Sequence, residues 1–179
     1  MSTSHEFTNP RFFVAGAVGE PGQRVFYLQA AQDEALVSLK MEKQQVQALS
    51  QFLGSVLDDL PAPAGAVAPA DLVQPVEPLW VVGQIAVGID EAESRVVLVL
   101  EELIVGDEDD DDDDDELSEI GPDFFDEINM GARLRIHITA AQARAFIAQS
   151  EALMSKGRPP CRLCGQPEGR DGHVCPRLN

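Results

Sequence analysis

RLRIHITAAQARAFIAQSEALMSKG, residues 133–157, changes its period part-way along. Leu134, Ile136 and Ile138 alternate with Arg133, Arg135 and His137, the every-second-residue pattern of a strand with one dry and one wet face. Thr139-Ala140-Ala141-Gln142 then matches a capping box, hydroxyl first and glutamine three later, so a helix starts there. Ala143, Phe146, Ile147, Ser150, Leu153 and Met154 return at three-and-four spacing, and Gly157 is a natural stop. A strand feeding directly into a one-sided helix predicts a helix laid on a sheet, and hence an α+β fold.

The same transition occurs upstream. Leu36 to Met41 reads as a strand, and Glu42 to Leu57 as a helix burying Val46, Leu49, Phe52, Leu53, Val56 and Leu57. Before it, Arg11 to Val18 and Arg24 to Ala31 read as strands joined at Glu20-Pro21-Gly22, where proline presets φ and glycine accepts positive φ. The links are short, so these three strands should form an antiparallel meander. Downstream, Trp80 to Ile89 and Arg95 to Val105 read as two more strands around a hairpin loop at Asp90 to Ser94.

The expected order is βββα-βββα, with two packed helices on a mainly antiparallel sheet and a small C-terminal zinc knuckle. Residues 1–60 make the first half and residues 61–78 a linker, with prolines at 61, 63, 69, 75 and 78. Residues 79–157 make the second half, with an acidic disordered loop at about 106–130, and residues 158–179 form a zinc-binding tail. Both halves share a strand end, a glutamine-rich first helical turn and a mid-helix phenylalanine, which suits a divergent repeat or two independent units.

The tail carries the strongest chemical signal. All three cysteines of the chain, Cys161, Cys164 and Cys175, fall within fifteen residues of one another, with His173 between the last two. Two residues between Cys161 and Cys164 let both thiolates turn to one ion, and Gly165 eases the turn. His173 and Cys175, two apart on an extended chain, project to one side. Four protein ligands fill a tetrahedral shell, so a structural zinc is expected, one that orders a segment without a core of its own. An odd, clustered set of cysteines argues for metal over disulfides in a reducing compartment.

Charge narrows the partners. The chain carries −18, and ten of its 31 acidic residues form one run, Asp107 to Glu116; without them −8 remains. General attraction to nucleic acid or anionic membrane is therefore not expected. The run lacks the spaced oxygens and central glycine of an EF-hand loop and reads as a solvated loop. No secretory signal or membrane span is visible, so a cytoplasmic protein is expected. Arg133, Arg135 and His137 share a strand face suited to a phosphate or carboxylate, or form the wet side of a strand; Arg24 and Lys40 would join them if their strands were neighbours. No nucleophile elbow, P-loop or dinucleotide fingerprint is present.

The segments Gly157-Arg158-Pro159-Pro160-Cys161-Arg162-Leu163-Cys164-Gly165 and Gly172-His173-Val174-Cys175-Pro176-Arg177, with FVAGAVGEPGQRVFYLQA (residues 13–30) and LKMEKQQV (residues 39–46), resemble a family of actinobacterial proteins catalogued as domain of unknown function 3090. Arg162 departs from an expected proline, and Ala17 and Val25 from the usual threonine. The resemblance implies no activity. It implies only genes placed near histidine-phosphatase-like and phosphoinositide-kinase-like proteins. Three functions follow as expectations: a non-enzymatic interaction or adaptor module with an unknown protein partner; a phosphate-ligand-binding or enzymatic domain using the basic strand face; or nucleic-acid binding through the zinc tail, which lacks the stacking aromatic usual for single strands.

Overall fold

A computed structural model describes residues 2–58, 60–62, 65–104, 131–157, 161–164 and 175–177. The elements are β1 (His5–Phe7), β2 (Phe12–Val18), β3 (Val25–Gln32), β4 (Ala35–Met41), α1 (Lys43–Leu57), β5 (Trp80–Asp90), β6 (Arg95–Glu102), β7 (Arg133–Ile138) and α2 (Ala140–Ser155). Tight links set the hairpins. Gly19 and Gly22 take positive φ (108° and 99°) between β2 and β3, where Gln23 N–H donates to the Glu20 carbonyl at 2.9 Å. Asp33, also at positive φ, turns β3 into β4. At the β5–β6 turn, Asp90 Oδ1 accepts from the amides of Ala92 and Glu93.

The expectation of a mainly antiparallel sheet is corrected: among the described residues the sheet is mixed, seven strands in the order β1-β7-β6-β5-β4-β3-β2. The β2-β3-β4 and β5-β6-β7 meanders are antiparallel, but β4 pairs with β5 in parallel, and so does β1 with β7. Short links force a chain to reverse, which is why the meanders follow from local pattern. Between β4 and β5 lie α1 and residues 58–79, a connection long enough to return the chain to the same end of the sheet. The three-residue β1 carries two polar residues in three and has no local strand signal; its pairing comes wholly from β7. The first half is thus ββββα.

The strand order has a geometric consequence. β1 and β2 sit at opposite ends of it, yet only residues 8–11 separate them. Seven flat strands would place the edges about 29 Å apart at ~4.8 Å per step. The chain from Phe7 to Phe12 reaches at most about 18 Å. The sheet must roll, and residues 5–18 tie one rim to the other. Gln142, from α2, secures this tie by donating to the Pro10 carbonyl at 2.6 Å.

Rolling encloses the core. Leu98, Leu100, Leu134, Ile136 and Ile138 from one meander and Leu28, Val37 and Leu39 from the other are at most 1 % exposed. The helices pack against each other over this face, Phe146 stacking on Phe13 at 5.0 Å between ring centroids. Both helices open on capping boxes: Gln45 Oε1 receives the Glu42 amide, and Thr139 Oγ1 the Gln142 amide. Phe52, expected in the α1 stripe, is 51 % exposed. The buried stripe is Val46, Leu49, Ser50, Leu53 and Leu57, which turns Phe52 toward the flank facing Ile85 and Val87.

Residues 65–79 are not slack chain. They cross the outer face of the β2-β3-β4 meander, where Leu72 packs into the space left by Gly16; a Cβ there would collide with it. Gln29, fully buried, clamps them: its Nε2 donates to the Val73 carbonyl (3.0 Å) and to Ser38 Oγ (3.0 Å), and its Oε1 accepts from the Val73 amide (2.7 Å). The side-chain amide thus serves Val73 as a neighbouring strand would. Gln29→Leu leaves the two Val73 groups unpaired and is expected to cost about 1–3 kcal/mol. Faster hydrogen exchange at the Val73 amide, with little change at Leu98, is the local signature.

At the other end of the sheet, the Ser2 hydroxyl (2.6 Å) and then the Ala132 amide (2.9 Å) hold the Glu102 carboxyl below its ordinary value, against burial. Among the described residues no helix is long and apolar enough to cross a membrane.

Candidate metal centre

Two residues between Cys161 and Cys164 let the chain turn back on itself, and the structure shows a turn over residues 162–164. The Leu163 amide donates to Cys161 Sγ at 3.4 Å. Cys175 is brought alongside, its Sγ 3.9 Å from that of Cys161, and the three sulfurs lie within 4.8 Å of one another. A tetrahedral ion with bonds of ~2.3 Å needs sulfurs about 3.8 Å apart, whereas a disulfide needs ~2.05 Å. None of the three cysteines forms a disulfide; Cys161 and Cys175 are buried and Cys164 is half-buried.

The electrostatics favour thiolate. The amides of Cys164 and then Leu163 hold the Cys161 thiol below its ordinary value; burial opposes them, and the Cys164 and Cys175 side chains add to the lowering. Arg177 donates from Nη1 to the Leu163 carbonyl at 2.9 Å, tying the second limb of the tail to the first. Leu163 itself stays 48 % exposed. The three cysteines can therefore share one metal ion. The fourth expected ligand, His173, lies outside the described residues, as do Gly165 and the acidic run Asp107 to Glu116.

The basic row is assembled as its alternation requires, on the outer face of β7. Arg133 Nη2 meets Glu101 at 2.8 Å, Arg135 Nε meets Glu6 at 3.7 Å, and His137 Nδ1 faces Asp90 at 3.9 Å. Cross-strand register sets Glu101 opposite Arg133 and Glu6 opposite Arg135, and Asp90 reaches His137 from β5, so the positive charge of the row is met from within the fold. Asp90, Glu93 and His137 also approach within 4.8 Å of one another. Arg95 lies 3.6 Å from Glu93, and Arg135 donates to His137 Nε2 at 3.4 Å. Guanidiniums on both flanks make this corner a hydrogen-bonded turn that disfavours a further cation.

Arg24 and Lys40 do not reach that row, because β5 and β6 intervene. With Lys43 they line a separate pocket beside the start of β3 and the end of β4. The sequence left their neighbours open, because strand adjacency across α1 leaves no mark in local pattern.

A model of the family described as "Protein of unknown function (DUF3090)" matches residues 5–175, which takes in all the strands and helices among the described residues and all three cysteines. No curated protein and no solved structure matches the chain.

Proposed function

Because this chain belongs to the DUF3090 family, which is defined without an activity, we propose its function from the site itself: a non-enzymatic interaction module whose C-terminal tail is stapled by one structural zinc ion. The ligands are Cys161, Cys164, His173 and Cys175. The observation that carries this reading is the 3.9 Å spacing of the Cys161 and Cys175 sulfurs within a three-thiol cluster. Soft thiolates in tetrahedral array select zinc over hard cations, and a histidine fourth ligand closes the shell, leaving no position for a reacting water. Such a site holds shape. It presents Leu163, half exposed between two ligands, beside Arg162 and Arg177, a compact knob with an apolar tip and a basic rim suited to an acidic protein surface.

The test has two arms. Elemental analysis of untagged protein should find one zinc per chain, and cobalt substitution should give the tetrahedral spectrum of three sulfurs and one nitrogen; a metal-free protein sinks the proposal. Capture from native lysate with the intact protein and with Leu163→Glu should show a partner held by the first and lost by the second. Turnover of a substrate by the purified protein would contradict the non-enzymatic assignment.

A further inference from the structure

Three cations gather where four elements end. Arg24 precedes β3, Lys40 lies near the end of β4, and Lys43 opens α1; together with the last turn of α2 they line a pocket of about 540 Å³. That size is within the range of small-molecule sites, about 300–1,000 Å³. The remaining wall is largely apolar, contributed by Phe26, Met41, Leu153 and Met154. The chain as a whole is strongly acidic, yet among the described residues no ion pair involves Arg24, Lys40 or Lys43.

Local groups offset only part of this charge. Arg24 Nη1 donates to the Leu153 carbonyl at 3.5 Å. A Cβ placed on Gly157 would come within 4.0 Å of Lys43 Nζ, so that ammonium also stands over the C-terminus of α2. A helix C-terminus supplies about half a negative charge. Glu42, the one carboxylate among the lining residues, belongs to the capping box of α1 and answers the positive end of that helix. Lys40 has no such duty. Roughly two positive charges remain, and like charges held together without a counterion raise the energy of the fold.

We propose that this pocket binds a phosphomonoester, its phosphoryl group held by Arg24, Lys40 and Lys43 and its organic part lying on the half-buried Leu153 and Met154. A phosphomonoester carries −1.5 to −2 at pH 7, which matches the uncompensated charge better than a single carboxylate. The net charge of the chain does not forbid this, because screening over ~8 Å at physiological salt leaves the local cluster dominant. The site is separate from the thiol cluster and stands or falls independently of the zinc assignment.

Calorimetric titration of the full-length, zinc-loaded protein with phenyl phosphate tests it. Saturable binding tighter than about 1 mM is expected, with benzoate at least about tenfold weaker and Lys40→Gln weakening phenyl phosphate by about tenfold or more. Arg144→Gln, on the exposed side of α2, should bind as the parent does. Lys40→Gln should also match or exceed the parent's melting temperature without ligand, since it relieves repulsion; if it fails to fold, Lys43→Gln takes its place. Absence of saturable binding by both phenyl phosphate and inorganic phosphate, or unchanged binding by the lysine variant, overturns the proposal. So does an octa-aspartate peptide that binds as tightly and displaces phenyl phosphate, since the pocket would then receive an acidic segment.

Discussion

Replacing Phe146 with alanine is expected to destabilise the protein by about 3–5 kcal/mol, the range for deleting a buried aromatic ring. Phe146 has no exposed surface, and its ring stacks on Phe13 at 5.0 Å and 27°. Phe13 belongs to β2, one rim of the rolled sheet, while α2 follows directly from β7, the strand that holds the other rim. The lost ring therefore leaves a cavity between the two parts of the fold that must meet for the sheet to roll. The same core includes the small residues Ala15, Ala140 and Ala143, which offer few atoms to refill it. At ~2–4 °C per kcal/mol, the melting temperature should fall by more than about 6 °C. Phe146→Leu, which keeps most of the volume, should recover more than half of that loss. A fall below about 2 °C for the alanine variant would mean that this contact does not hold the helix to the sheet.

Cys161→Ser is expected to abolish metal binding at physiological concentration while leaving the body folded. Cys161 is the hub of the cluster: it is buried, it faces Cys175 at 3.9 Å, and it receives the Leu163 amide. Structural zinc in small sites contributes about 10–16 kcal/mol, which in a segment without a core is the folding energy of that segment. The described apolar core draws on residues 7–146 and includes none from the tail. Loss of the metal should thus expose residues 158–179 to proteolysis and shift the main melting transition by less than about 3 °C. Chelation of the parent protein should reproduce both effects. Cooperative collapse of the whole protein on chelation would show that the tail is part of the body.

These two sites differ in how far sequence discloses them. The thiol cluster is nearly local: Cys161 and Cys164 are one turn apart and Cys175 follows fourteen residues after Cys161, so spacing points to a cluster of the three. The strand-to-helix switch at Thr139 was equally legible, because a capping box and a change of period coincide within a few residues. Phe146 was recognisable as buried from its position in the stripe, but its partner Phe13, 133 positions away, was not. β1 was missed for the same reason. His5, Glu6 and Phe7 have no strand pattern of their own and adopt one only against Leu134, Arg135 and Ile136. The cation pocket lies at the extreme of this scale, since Arg24, Lys40 and Lys43 look like ordinary wet residues until β3, β4, α1 and α2 end at one place. For residues 65–79 the sequence argued for a proline-rich linker that leaves room for short extended pieces around Leu72 to Val76. Proline density correctly argued against a helix there, but it gave no hint that Gln29 would satisfy Val73 in place of a neighbouring strand.

The tie between the two rims also sets a timetable for biosynthesis. Residues 5–7 leave the ribosome well before the partners they need, since residues 134–136 are made more than 120 residues later. Until then the β2-β3-β4 meander and α1 can assemble, while the barrel-like closure waits for β7 and α2. A contact of such high sequence separation is slow to form and is reached only when nearly all of the core has been translated. Nascent chains stalled before residue 133 should therefore expose apolar strand surface to chaperones, and release of that surface should coincide with synthesis of α2.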